Sequence, residues 1–574
     1  MNGASIVVRA LEDEGIPFAF GIPGTHNIEL YDALATSQAV RTVLVTDEQS
    51  ASFMADGVWR ATGRMACVNV VPGAGLTHAL SGIAEAFMDH VPMLVLGCGI
   101  RRDSGKAFQL HDVDQMAMVA PVVKGTFRPV TGEELYPTLR EACALARSGA
   151  PGPVFVEVPM NLYLFNHAVT LPAWEAPAPA SSEAPANGLL NRVVDLVARA
   201  NRPLLYVGAG AAGAVEEVRA LAELLEAPVS ATFQGKGILP ETHPLFLWPG
   251  FGAAAPPFAR EVAAQCDLTL AVGCRFGEVG TGSYGLEPPG PLVHVDIDPD
   301  ALGRNYPADV AIACDAGTFL RALLGRIREA PRGEDEKLRA AIRHGHAQVW
   351  SSWMDDVGGD GVTPAHLLRT AQRVFGPDTV FTTDSGNGTF LAMECLRLEA
   401  PGRFLAPVDY SCMGYAVPAA LGARLGSPDT PVVALAGDGA FLMTGLELLT
   451  GAKEGLAVVV LVLRDRELAQ IAQFQATAMS RKTASRVHDY DVAGLAKGLG
   501  IPALDMNADE DVERVLVEAG RLAAEGTPVL VDVAIDYSRK TYFTQGVVKT
   551  NLLRLPLKDQ ARFIGRALVR KVTG

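Results

Sequence analysis

The chain predicts an α/β protein of three doubly wound parallel-sheet domains with a C-terminal tail, and three observations carry that expectation. Strand-like apolar runs alternate with helical patterns along most of the sequence, as parallel strands covered by helices require. At 574 residues the chain exceeds what one core holds and suggests about three domains of ordinary size. Two composition breaks then divide it. The stretch 171–188, LPAWEAPAPASSEAPANG, is rich in Pro, Ala and Ser and reads as an extended linker. The stretch 331–362 turns charged and then glycine-rich, from PRGEDEK to DDVGGDGVTP, and reads as a second one. Domains are therefore expected over 1–170, 189–330 and 363–536, with 537–574 as a basic tail.

In chain order, the strand-like PFAF runs into GIPGTHN, which opens a helix whose first amides can meet a carboxylate; Thr25 and His26 look outward from it. The stretch RTVLVTDEQSASFMADGVWRATGR reads as strand, short turn and helix, placing Glu48 where strand gives way to helix. In the middle segment YVGAGAAGA carries a GxGxxG after a strand, a weak dinucleotide signal because no acid follows at the end of a clear second strand. The third segment has VFTTDSGNGTF at the end of an apolar strand, and DYSCMGYAVPAALGARLG as a loop entering a small-residue helix. It then runs PVVALAG as a buried strand, GDG as a tight turn, TGLELLTGAKEG as a helix and LAVVVLVL as a second buried strand. Asp438 and Asp465 thus leave the carboxyl ends of parallel strands, the edge where open α/β sheets bind ligands. Two carboxylates there suit one hard cation, and Mg²⁺ holding a diphosphate is the natural occupant.

Composition narrows the function. Lysine and arginine total 49 against 64 acids, and the net charge of −15 disfavours nonspecific nucleic-acid binding. The apolar runs fall short of a membrane span, and the N-terminus MNGASIVVRALEDEG does not read as a signal peptide. Eight scattered cysteines without a CxxC pair argue against a disulfide framework or a zinc site and favour a reducing cytoplasm. If 557–572 is helical, Lys558, Arg562, Arg566 and Arg570 share one face and Leu557, Ala561, Ile564 and Leu568 another. Such a helix could touch a membrane, but its modest apolar face favours docking on the acidic body of its own subunit.

GDG with Arg464–Asp465 some two dozen residues on, the string EQSASFMADGVWRATGR and the loop DYSCMGYAVPAALGARLG together resemble the thiamine-diphosphate-dependent decarboxylases and carboligases, in their acetolactate-synthase-like branch. The resemblance covers nearly the whole chain and makes the segments a pyrimidine-binding, a middle and a diphosphate-binding domain. It implies Mg²⁺ held by Asp438, the Asp465 side chain and the Glu467 carbonyl, although Arg464–Asp465 stands where the Asn pair usually sits. It implies a diphosphate beside Asn387, Gly388, Thr389, Gly437, Gly439 and Ala440. It gives Met413 the wedge between the cofactor rings, with its N–H and the Ser411 carbonyl on the pyrimidine edge and Pro23 close by. Glu48 becomes the catalytic acid at the pyrimidine ring nitrogen; Asp47 replaces a histidine often found before it. Thr25, His26, Phe108, Gln109 and His111 would border the substrate. The implied reaction is decarboxylation of a 2-oxo acid followed by ligation, ahead of simple decarboxylation to an aldehyde and of acyloin or 2-hydroxyacyl-thioester lyase chemistry. A cofactor-binding scaffold without catalysis is the rival of another class. FAD in the middle domain is not favoured, and a homodimer or homotetramer with sites between subunits is implied.

Overall fold

The computed structural model describes residues 1–171, 184–327, 331–355 and 360–573. Among them, three six-stranded sheets follow one another along the chain, all with parallel pairing. The first holds β1 (Phe18–Gly21), β2 (Arg41–Leu44), β3 (Cys67–Val70), β4 (Leu94–Gly99), β5 (Thr126–Phe127) and β6 (Val154–Pro159). The second holds β7 (Pro203–Val207), β8 (Val229–Ala231), β9 (Phe246–Pro249), β10 (Leu268–Val272), β11 (Leu292–Asp296) and β12 (Val310–Ala313). The third holds β13 (Val380–Thr383), β14 (Phe404–Leu405), β15 (Val432–Gly437), β16 (Val458–Arg464), β17 (Ala503–Met506) and β18 (Val529–Ala534).

The first and third sheets share one strand order, β2-β1-β3-β4-β6-β5 and β14-β13-β15-β16-β18-β17. The middle sheet is ordered β12-β11-β10-β7-β8-β9, with the chain reversing direction across β7 and β10. In such sheets the crevice opens where consecutive connections diverge. In the third sheet that point lies between β13 and β15, so the loops at 384–387 and 437–439 border it. In the first it lies between β1 and β3, bordered by the GIPGTHN loop and by 71–74. Central strands such as β15 and β16 are continuous apolar runs because helices cover both of their faces.

The first and third domains lock through two helices. Glu48–Thr62, ended by left-handed Gly63, crosses Ala416–Gly426 at close range. A Cβ on Gly57 would sit 2.2 Å from the Ala419 carbonyl oxygen, and one on Gly422 2.1 Å from that of Met54. The small residues of both segments thus let two backbones touch. Thr46 adds a polar tie, since its N–H and hydroxyl both donate to the Glu447 carboxylate, the hydroxyl at 2.6 Å.

Some local expectations change. The composition of 331–362 read as a linker, but 336–354 forms the helix Glu336–Met354. Its buried Leu338, Ile342, Val349 and Trp353 recur at helical spacing beneath a charged outer face, which masked them. GDG is less a free turn than a helix start, with Gly437 as N-cap and Asp438 as first residue. Most of the 171–188 linker lies outside the described residues. The tail forms two helices, Tyr542–Arg554 and Leu557–Thr573. The second packs on Ala469–Met479, and its Arg570 donates to the Met479 carbonyl at 3.2 Å, so it meets a helix C-terminus rather than acidic side chains. The Leu568 side chain lies outside the described residues. No described helix is long and apolar enough to cross a membrane, and all eight cysteines are free and buried.

Candidate active site

At the carboxyl ends of β15 and β16, Asp438 and Asp465 converge. Asp438 is buried; its carboxylate accepts the Gly439 N–H and, across the loop after β16, the Arg466 N–H, each at 2.7 Å. Asp465 accepts the Glu467 N–H at 3.2 Å. Burial, and then the charge of Asp438, push the Asp465 carboxyl up to about 7; burial raises Asp438 as well. Arg464 offsets the rise of Asp438 only in part, since its guanidinium pairs with Asp532 on β18 and with Asp489 at 3.0 Å. The residue in the first Asn position therefore ties two strands together, while Asp465 keeps an oxygen on the site. A pair of crowded carboxylates with hard oxygen donors fits Mg²⁺.

Next to this pair, Asn387, Gly388 and Thr389 form the first turn of the helix Asn387–Cys395, entered through Gly386 at φ 141°. The Thr389 hydroxyl donates inward to the Asp384 carbonyl at 2.6 Å, so this turn offers backbone amides rather than the hydroxyl. Ser411 is left-handed at φ 66° and joined to Ser385 through their hydroxyls at 2.7 Å. Met413 is half-buried, its methyl 3.9 Å from where a Cβ would stand on Gly439. Among the described residues, neither the Met413 N–H nor the Ser411 carbonyl has a hydrogen-bond partner. Asp384, which burial pushes up to about 7, accepts the Tyr415 N–H at 2.7 Å, and Glu85 accepts the Cys412 N–H at 3.0 Å. Both acids clamp the hinge loop.

On the first sheet, Glu48 is buried at the start of its helix, behind N-cap Asp47. Its carboxylate lies 3.3 Å from His78 Nδ1, which also faces Asp47 at 3.9 Å. At the β1/β3 crevice, Thr25 Oγ1 is 3.2 Å from His26 Nδ1, and the His26 and His111 rings meet edge to face at 5.3 Å. His111 also lies over Gly73, whose hypothetical Cβ would be 3.7 Å from its Nδ1. Burial, then the charge of His111, lower the His26 imidazole. Pro23 is exposed on the same loop. Phe108 is fully exposed in the single chain, and Gln109 spends its amide on the Arg101 and Lys106 carbonyls, at 3.0 and 3.2 Å. The structure thus gathers Thr25, His26 and His111 and leaves Phe108 and Gln109 outside that cluster.

His78, Glu85, Asp384 and Glu447 escaped the sequence reading. Each acts on a residue far away in the chain, and no local spacing marks it. Only for His78 was there a signal: a polar residue at the start of an otherwise small and apolar helix, Ala74–Met88.

In the middle sheet the GxGxxG loop is spent on packing. The Gly210 N–H donates to the Gly273 carbonyl at 3.0 Å, and a Cβ on Gly208 would lie 2.3 Å from the same oxygen.

Three sheets in this order, with a buried glutamate at the end of one outer sheet and paired aspartates at the end of the other, define a thiamine-dependent enzyme. Sequence comparison agrees domain by domain. Residues 1–118 match the N-terminal TPP-binding domain of thiamine pyrophosphate enzymes, 190–323 their central domain and 384–533 their C-terminal TPP-binding domain. The chain belongs to the thiamine pyrophosphate enzyme family. It is 31% identical over 559 residues to a probable acetolactate synthase large subunit of Methanocaldococcus jannaschii, covering 93% of this chain and 92% of the relative. It is 32% identical to the acetolactate synthase large subunit of Corynebacterium glutamicum, covering 93% and 87%. Its identity to the large subunit of acetolactate synthase isozyme 3 of Escherichia coli is 31%, covering 94% and 96%. It is a thiamine-diphosphate-dependent enzyme, similar to acetolactate synthases along nearly its whole length.

Proposed function

We propose that the chain decarboxylates a 2-oxo acid and joins the remaining fragment to a second carbonyl compound, giving a 2-hydroxy ketone or acetohydroxy acid. The observation that carries this reading is the presence, in one chain akin to acetolactate synthases along nearly its whole length, of buried Glu48 at the end of the first sheet and of the crowded Asp438–Asp465 pair at the end of the third. Asp438, Asp465 and the Glu467 carbonyl would hold Mg²⁺. The amides of Asn387, Gly388 and Ala440 would meet the diphosphate, with Thr389, Gly437 and Gly439 beside it. The Met413 N–H, the Ser411 carbonyl and Pro23 would frame the pyrimidine, with the Met413 side chain under the rings. When bound, thiamine diphosphate supplies the nucleophilic carbon that adds to the substrate carbonyl and accepts the electron pair released with carbon dioxide. Glu48 would hold a proton at the pyrimidine nitrogen, in a buried setting that keeps water from competing. His26, kept neutral by its surroundings, and His111 would orient the substrate carboxylate and move a proton near the GIPGTHN loop. No dinucleotide is assigned to the middle domain.

Glu48 and the Asp438 site would meet across two subunits. In support, Glu48 bonds to His78 and to no group of the third domain among the described residues. Leu442, Met443 and Leu446, just after Asp438, are 52, 57 and 57% exposed, and a second copy would cover them. A second reading, plain decarboxylation to an aldehyde, draws support from the His26–His111 contact, since paired imidazoles suit protonation of a carbanion. One experiment separates the two: incubate the protein with thiamine diphosphate, Mg²⁺ and a panel of 2-oxo acids, and identify products by mass. Acetolactate or a mixed acetohydroxy acid is expected; aldehyde alone would transfer the assignment to the second reading, and no turnover of any 2-oxo acid would refute both.

A further inference from the structure

A cavity of about 830 Å³ is lined by none of the residues at the three carboxyl edges. It opens between the middle and third domains, where 241–244 leads into the amino end of β9 and faces the helices Glu336–Met354 and Pro364–Phe375. Its wall is cationic. Arg369 and Arg397 are both half-buried there, and among the described residues neither guanidinium has an acidic partner. The Arg369 Nε is fully buried without a hydrogen-bond partner, and its guanidinium stacks on Trp350 at 4.6 Å. The one carboxylate in the inner wall, Glu241, is consumed by buried Lys236 at 2.7 Å and by the Leu398 N–H at 3.0 Å. Burial, and then the charge of Arg397, lower Arg369 to about 10, and burial lowers Arg397 against the opposing charges of Glu241 and Glu399. At the rim Arg343 and Arg373 are exposed, each with only a solvent-facing acid beside it. Two desolvated forks of donors without an anion is an arrangement that costs stability until a multiply charged oxyanion fills it.

We propose that this cavity is a second ligand site, separate from the catalytic centre, which binds an organic phosphate of nucleotide size. Guanidinium forks match phosphate oxygens in pairs, the volume falls in the range of small-molecule sites, and four arginines supply the charge for two phosphate groups. Because the cavity lies between the middle and third domains, a ligand there fixes how those domains sit against each other.

The test uses the full-length holoenzyme with thiamine diphosphate and Mg²⁺ in saturating excess, so that the catalytic diphosphate seat is filled. Calorimetric titration with ADP and with pyrophosphate is expected to show binding, and adenosine none. Arg369→Gln and Arg397→Gln should each weaken ADP at least tenfold while thiamine diphosphate affinity stays unchanged. Should either fold poorly, Arg343→Glu at the exposed rim reads the same site and should also weaken ADP severalfold. Absence of ADP and pyrophosphate binding to the wild type at millimolar concentration overturns the proposal. So does ADP binding that is indifferent to all three substitutions, which would place the nucleotide elsewhere.

Discussion

The first and third sheets have the same strand order, yet in the proposed function they would contribute opposite halves of the chemistry. In the first, Glu48 follows β2, an edge strand of which only Val43 is buried, and it is the first residue of a helix. In the third, the acids follow β15 and β16, central strands paired on both sides, and they come as two. The difference is physical. A cation needs several oxygens held within a few tenths of an ångström, which adjoining central strands provide. A proton donor needs one well-placed carboxyl and low dielectric, which an edge-strand loop packed under a helix provides. One topology would thus host the two proposed roles through its loops rather than its sheet.

Substitution in each half should separate these roles, and this is the largest expected effect. Glu48→Gln is expected to lower kcat by ~10²–10⁴ while thiamine diphosphate and Mg²⁺ still bind, because the lost group is the proposed acid–base catalyst. Proton exchange at the reactive carbon of the bound cofactor should slow in parallel. Asp438→Ala should instead abolish tight cofactor binding, beyond the ~10–100-fold that loss of an outer-shell partner costs a metal site. Asp465→Ala should weaken cofactor affinity in a way that added Mg²⁺ partly restores. If Glu48→Gln left exchange untouched, or Asp465→Ala left affinity untouched, the division of labour between the two sheets would be wrong.

The seam that joins the two sheets gives the next effect. Gly422→Val puts carbon atoms where the Met54 carbonyl already lies, so the two helices must separate. A loss of ~1–3 kcal/mol is expected from overpacking, read as a fall in the urea midpoint. Activity should fall with it, because the same helices carry Glu48 at one end and follow Met413 at the other. A stable variant with full activity would mean the crossing does not position the site.

How far the sequence foretold this molecule follows from the range of each interaction. The strands β15 and β16 and the helix after Glu48 were legible because periodicity and apolar runs are local signals. The small residues of GYAVPAALGARLG announced close packing without naming the partner, which proved to be the Glu48 helix. The helix Glu336–Met354 was not legible as an element, since its charged outer face and its neighbouring glycines dominated the composition. In the candidate site, Asp438, Asp465 and Glu48 could be read because each stands at a strand end within a patterned string. His78 and Asp384 could not, because their partners lie tens of residues away and only the packed structure brings them together. Phe108 shows the converse: its string pointed to the substrate, yet in the single chain it faces solvent.

The smallest effect sharpens the comparison at the seam itself. Glu85, of the first domain, holds the Cys412 N–H of the third domain's hinge loop and has one oxygen without a partner. Burial, and then the charge of Asp89, push its carboxyl from the ordinary 4.5 up to about 9, against the opposing pull of Arg60. An acid raised in this way binds its proton on folding, so its contribution is fully present below pH 4.5 and is lost as pH rises toward about 9. The slope cannot exceed one proton, roughly 1.4 kcal/mol per pH unit. Urea midpoints at pH 6 and pH 8.5 should therefore fall in the wild type, and the fall should shrink in Glu85→Gln, whose amide oxygen still accepts the Cys412 N–H but cannot ionise. An equal fall in both proteins would mean that Glu85 is already charged in the folded state, and that the hinge of the third domain does not depend on a neutral acid from the first.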